Sequence, residues 1–220
     1  KVSDRKVRDE WKPLWGKRAV VEDHFNELVI DLVNPAGQPE RMQLVVRGYN
    51  DGFAFCYKIP DGKGPCVNVQ SELTAYNFAG DYTAWFYNGE NHNIGPEKLT
   101  ETDGTRLPVM TVKAGDKHYM AIHEACLETG APLVLQSKGG ESLFSVASKP
   151  TSLSPGYTSA WRVVLYGTTP GVLTDSHLLE LLNPDPDSRY DFSWVKPGLA
   201  VWDWRINGAV WDGFTYGMSY

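Results

Sequence analysis

Met42-Gln43-Leu44-Val45-Val46-Arg47-Gly48-Tyr49-Asn50-Asp51-Gly52-Phe53-Ala54-Phe55-Cys56-Tyr57-Lys58-Ile59 reads as two strands joined by a tight turn. Met42, Leu44 and Val46 recur at every second position, and so do Phe53, Phe55, Tyr57 and Ile59. Successive side chains of a strand point to opposite faces, so this alternation marks strands. Asn50-Asp51-Gly52 between them is a hairpin signal, because Asp-Gly tolerates the positive φ of a two-residue turn. Pro60-Asp61-Gly62 closes the second strand.

The pattern extends in both directions. Residues 25–33 place Leu28, Ile30 and Leu32 on one face. Further candidate strands are 109–112, 118–123, 133–136, 143–146 and 161–166, most of them separated by Gly, Pro or Asp. Many short strands at this spacing predict a mainly β chain, a sandwich or a related multi-sheet fold. One helix is predicted over 174–182, with Asp175 and Ser176 as cap candidates before Leu178, Leu179, Leu181 and Leu182. Pro184 and Pro186 stop it. Residues 183–193, rich in Pro, Asp and Ser, predict an inter-domain linker. Beyond it, 194–204 is one apolar run without alternation, the pattern of a strand buried on both faces of a parallel sheet.

Composition bounds the rest. At 220 residues and 42% hydrophobic, the chain can bury one large core or two small ones. No apolar run of about eighteen residues exists, so no helical membrane span is expected. The net charge of −6 and the lack of a basic cluster argue against nucleic acid, whose phosphates need Lys and Arg. Cys56, Cys66 and Cys126 form no Cys-x-x-Cys pair, which makes a zinc site unexpected and allows at most one disulfide. The chain starts at Lys1 with no signal-like segment, and its last apolar strand has little chain after it. A processed N-terminus or a fragment is expected, and the unfinished end favours a fragment. Nucleophile-elbow, P-loop and dinucleotide fingerprints are all missing from the sequence.

Three constellations could carry chemistry. In Ala121-Ile122-His123-Glu124-Ala125-Cys126-Leu127, Glu124 is a carboxylate inside an apolar segment at a strand end. Buried without a partner it would cost several kcal/mol, so an arginine, a hydrogen-bond cluster or a hard cation such as calcium is expected beside it. On the residues alone, an ion pair and a metal site stand level. Tyr76-Asn77-Phe78-Ala79-Gly80-Asp81-Tyr82-Thr83-Ala84-Trp85-Phe86-Tyr87 has a turn at Gly80-Asp81 and aromatics on both strand faces, better suited to interface packing than to sugar stacking. The third is Ser193-Trp194-Val195-Lys196-Pro197-Gly198-Leu199-Ala200-Val201-Trp202-Asp203-Trp204, where a turn feeds an apolar run ending in a carboxylate between two indoles. Indoles stack on sugar faces and a carboxylate accepts bonds from sugar hydroxyls. Trp202, Asp203 and Trp204 are therefore the candidate substrate-binding residues, and a strand tip is where a (β/α)8 barrel holds its active site.

These pieces in order resemble glycoside hydrolase family 97, the α-glucosidase and α-galactosidase family. The resemblance rests on Tyr49-Asn50-Asp51-Gly52-Phe53-Ala54-Phe55, Phe78-Ala79-Gly80-Asp81-Tyr82-Thr83-Ala84-Trp85, Ile122-His123-Glu124-Ala125, Ala160-Trp161-Arg162 and Ser193-Trp194-Val195-Lys196-Pro197-Gly198. Each motif alone is modest, whereas the ordered set is specific and runs over nearly the whole chain. It implies a galactose-mutarotase-like β-super-sandwich, missing its opening strands, over 1–192, and the first strand of a truncated (β/α)8 catalytic barrel over 193–220. It also implies that Glu124 is the one glutamate this domain lends to an active-site calcium ion, and that the catalytic carboxylates lie beyond Tyr220. The implied substrate is an oligosaccharide or α-glycoside, galactoside or glucoside. The Trp-Asp-Trp triplet leans toward retention of configuration, while Arg205 departs from the family's usual Trp. Periplasmic or secreted location follows by the same resemblance. Two other readings compete: a non-catalytic carbohydrate-binding β-sandwich, and a structural β-domain whose aromatics only pack the core. A binding module has no use for a buried apolar strand after a linker.

Overall fold

The computed structural model describes residues 2–33, 41–88, 92–128 and 131–200. The expected mainly β architecture is present. The strands are β1 (Val2–Trp11), β2 (Val21–Val33), β3 (Arg41–Tyr49), β4 (Gly52–Lys58), β5 (Val67–Val69), β6 (Ala75–Asn77), β7 (Thr83–Asn88), β8 (His92–Lys98), β9 (Asp103–Lys113), β10 (Tyr119–Ala125), β11 (Leu135–Lys138), β12 (Leu143–Val146), β13 (Thr151–Leu153) and β14 (Trp161–Gly167). Two short helices follow, α1 (Pro170–Asp175) and α2 (Leu178–Leu181). Among the described residues no helix is long and apolar enough to cross a membrane.

The main layer runs β1-β2-β3-β4-β14-β10-β9, with β7 and then β8 continuing beyond β9. β9 belongs to two layers. Its later half pairs β10 and β7, while Asp103–Arg106 pairs β11, which leads on to β12 and β6. The β11–β12–β6 layer supplies Leu135, Phe144 and Val146 to a core shared with Phe86, Met110, Val112 and Ile122 of the main layer. On the opposite face, Val45, Ala54, Cys56, Ala121, Trp161, Val163 and Leu165 are covered by Leu178 and Leu182 from α2 and the residue after it. Each buried Leu or Val contributes roughly 1.5–3 kcal/mol, so two cores on two faces of one layer hold the domain together.

Several local readings change in detail. The expected β3–β4 hairpin forms, with Tyr49 opposite Gly52 and Asn50-Asp51 at the turn. Gly52 itself is demanded by its neighbour strand: a Cβ there would lie 2.3 Å from the Val164 carbonyl oxygen. Leu28, Ile30 and Leu32 do share a face, but Leu28 and Leu32 are exposed; the face covered in β2 carries Val21, Phe25 and Glu27. The predicted helix over 174–182 breaks at Ser176-His177 into α1 and α2, because Ser176 Oγ accepts the Leu178 N–H and restarts the turn there. β1 was not legible in the sequence: nearly every residue in it is exposed, as suits a charged edge strand that resists further pairing. Residues 183–200 carry no strand or helix, and Trp194, Val195 and Leu199 are exposed. The remainder of the apolar run, including Trp202, Asp203 and Trp204, lies outside the described residues.

Candidate functional site

Glu124 is the penultimate residue of β10, and its cross-strand partner in β14 is Arg162. Partners in register share a face, so both side chains point to the face that carries Ile122 and Val164, whereas His123 points to the helix-covered face with Val163. Adjacent residues of the Ile122-His123-Glu124-Ala125 motif are thus divided between two environments by the pleat. Burial holds His123 below the usual histidine range, favouring the neutral ring.

The Glu124 side chain is only 8% exposed. Its Oε2 accepts the Leu133 N–H and lies 3.6 Å from Arg162 Nη1. Burial pushes the carboxyl above its ordinary range, and the Leu133 N–H and the Arg162 charge oppose that shift. Arg162 is buried and forked onto Glu72, with Nε 3.1 Å from Oε1 and Nη2 2.7 Å from Oε2. Its Nη1 has no hydrogen-bond partner among the described residues, and neither has the buried Tyr76 hydroxyl. Burial raises the Tyr76 pKa, and the hydroxyl also feels the charges of Arg162, Glu72 and Glu124. The cluster Glu72–Arg162–Glu124 carries two carboxylates and one guanidinium. Of the two partners the sequence left level for Glu124, the arginine is present.

The residues also bear on calcium. A hard cation takes about six to eight oxygen ligands. Among the described residues no group of three or more His, Cys, Asp or Glu side chains could enclose a metal ion. The cluster offers one carboxylate in excess of its cation, so it fits a divalent ion as a contributed ligand and not as a complete site.

Sequence reasoning named Glu124 and Arg162 but gave Glu72 no role. Glu72 sits in an irregular segment between β5 and β6, where only the fold brings it to β14. Its own backbone is held by Ser148, whose Oγ accepts the Glu72 N–H at 2.7 Å. Asp81 serves the architecture, since its Oδ1 accepts the Thr100 N–H and closes the loop onto the short helical turn Leu99–Glu101. Phe86 is buried and Tyr87 exposed, as strand alternation required. All three cysteines are free.

Directly after Glu124 the chain turns sharply. Cys126 takes φ 54°, the left-handed region that a non-glycine residue rarely occupies. Cys126 and Glu128 then line a cavity of about 360 Å³ together with Arg47, Lys58, Trp161, Leu182, Asn183 and Pro184. The segment leaving α2 therefore departs beside the loop that follows β10, on the helix-covered face opposite the Glu124 side chain. Arg47 is fixed above this cavity between the Phe25 and Trp161 rings, at 4.4 and 4.8 Å, with its Nε on Glu27 Oε2 at 2.8 Å.

Comparison with known proteins agrees with this architecture. The family described as Glycosyl-hydrolase 97 N-terminal matches residues 1–184. A retaining alpha-galactosidase of Bacteroides thetaiotaomicron is 26% identical over 92% of this chain and 36% of its own length. A glycoside hydrolase family 97 enzyme from Pseudoalteromonas sp. strain K8, solved in complex with acarbose, superposes with a TM-score of 0.74 at 25% identity, over 90% of this chain and 32% of the other. A beta-arabinopyranosidase at 16% identity and a TM-score of 0.65 shares the fold. The chain spans about a third of the length of the enzymes it matches. With the ordered motifs, the two-layer fold and the family match in agreement, the chain belongs to glycoside hydrolase family 97 and carries that family's N-terminal domain.

Proposed function

We propose that this chain is the N-terminal part of a glycosidase that hydrolyses α-glycosidic bonds, of the α-galactosidase or α-glucosidase type, and that Glu124 is its contribution to a calcium ion at the active site. One observation carries the second half: a largely buried carboxylate is held at the end of β10 by a backbone N–H and a charge-balanced arginine. Family membership and the retaining alpha-galactosidase relative support the glycosidase class, and that relative favours retention.

In this reading the catalytic carboxylates lie beyond Tyr220, and 193–220 opens a (β/α)8 barrel. Trp202, Asp203 and Trp204 at the tip of its first strand contact the sugar. Glycosidic cleavage needs two carboxyl groups flanking the bond, about 5 Å apart for retention. A bound divalent ion polarises a substrate oxygen or shifts the pKa of a neighbouring carboxyl group. Leu133 and Arg162 fix the direction in which Glu124 presents its carboxylate. Location in the periplasm or outside the cell belongs to the same proposal.

Calcium titration of Glu124→Gln in the full-length enzyme tests the site. Weaker calcium binding together with lower turnover is expected, and unchanged affinity overturns it. The 220-residue chain alone is expected not to hydrolyse nitrophenyl α-galactoside or α-glucoside; measurable turnover by it overturns the placement of the catalytic groups.

A further inference from the structure

Glu124 faces a cation already in place. Arg162 Nη1 lies 3.6 Å from its Oε2, buried and without a hydrogen bond among the described residues. A guanidinium free to turn its fork onto Glu124 would neutralise it and occupy both oxygens. What prevents this is Glu72, which takes Nε and Nη2 of the same guanidinium at 3.1 and 2.7 Å. Glu72 is itself tied down by Ser148 Oγ, which accepts its N–H. Arg162 is thereby committed to one carboxylate and presents only a single edge nitrogen to the other. Two like charges beside one cation leave a net negative charge, and it sits at the less completely paired carboxylate, Glu124.

We propose that Glu72 is a positioning residue for the Glu124 site: by engaging Arg162 it keeps the guanidinium from forking onto Glu124, and so sets how tightly that carboxylate draws a divalent cation. This rests on the reading of Glu124 as a calcium ligand. Arg162 in turn is the lever through which Glu72 acts, since Glu72 is not itself placed against Glu124. The assignment makes a charge prediction. With Glu72 neutral, Arg162 turns to Glu124 and repels or replaces the cation. With Glu72 and Arg162 both neutral, the net charge is restored and so is the attraction.

Isothermal titration with calcium alone, on the full-length enzyme, separates the possibilities. Glu72→Gln is expected to weaken calcium binding by at least about tenfold, because a unit charge at this range is only partly screened at intermediate dielectric. The double variant Glu72→Gln/Arg162→Gln is expected to return affinity to within about threefold of wild type, and Glu72→Asp to retain most of it. A purely structural Glu72 moves the melting temperature without this recovery. Affinity unchanged in Glu72→Gln, while Glu124→Gln loses calcium, overturns the role of Glu72 and leaves the calcium site standing. Affinity unchanged in Glu124→Gln overturns both. Should Glu72→Gln not fold, the double variant decides: near-wild-type affinity supports the assignment, and a loss as large as that of Glu124→Gln refutes it.

Discussion

Glu124 and Arg162 stand opposite each other across the β10–β14 pair, and the register that sets them there also sets Ala121 against Leu165 in the core on the other face. A polar pair and an apolar pair are rungs of one ladder. The charged rung is thus built into the sheet beside the core, where an unpaired charge is poorly tolerated.

Removing the cation of this rung should be costly. Arg162→Leu leaves the largely buried carboxylates of Glu72 and Glu124 without their shared cation, and breaking such a pair costs about 3–5 kcal/mol. Arg162→Lys keeps the charge but cannot fork onto both Glu72 oxygens, so an intermediate loss is expected. Urea denaturation midpoints give the order wild type, then Lys, then Leu; equal midpoints for Lys and Leu would contradict the importance of the remaining charge.

Gly52 is set by the approach of β14. A Cβ at position 52 would lie 2.3 Å from the Val164 carbonyl oxygen and 3.0 Å from Leu165 Cα, both backbone atoms that cannot swing aside. Gly52→Ala is therefore expected to cost about 1–3 kcal/mol and to weaken amide protection along β4 and β14. Gly48, where nothing lies within 4 Å of an added Cβ, is the control, and Gly48→Ala should change stability far less.

The turn after Glu124 supplies a contrast between two substitutions. Left-handed backbone costs a non-glycine residue about 1–2 kcal/mol, and a β-branched side chain suffers most. At Cys126, with φ 54°, Cys126→Gly relieves that cost and Cys126→Val adds to it. Thermal unfolding should place the Gly variant above the Val variant; the reverse order would mean that packing of this half-buried side chain outweighs the backbone cost.

Glu27 should contribute to the acid sensitivity of the domain. Burial raises its carboxyl pKa, but bonds from Arg5 and Arg47 outweigh that and hold it below the ordinary 4.5. A depressed folded-state pKa means that the unfolded chain binds the proton first, so the stabilisation is fully present above 4.5 and is lost as pH falls through the lower, folded value. Stability of wild type and Glu27→Gln, followed by denaturant titration at a series of pH values, should differ most near neutrality and converge in acid. A gap that persists unchanged at low pH would show that the carboxylate charge is not its source.

The hairpin around Asn50-Asp51, the spacing of most of the strands, and Glu124 as a carboxylate needing a partner were all legible along the chain, because alternation and turn chemistry are local properties. So was family membership, since the ordered motifs survive without coordinates. Tertiary structure decided the rest. It chose which face of β2 is covered, because Leu28 and Phe25 alternate equally well in sequence and only packing distinguishes them. It split the leucine-rich segment into α1 and α2 through Ser176. It also brought Glu72, ninety positions away from Arg162 along the chain, to the guanidinium that faces Glu124. A long-range ion pair leaves no periodic trace in a sequence; it exists only once non-local strands have closed around it.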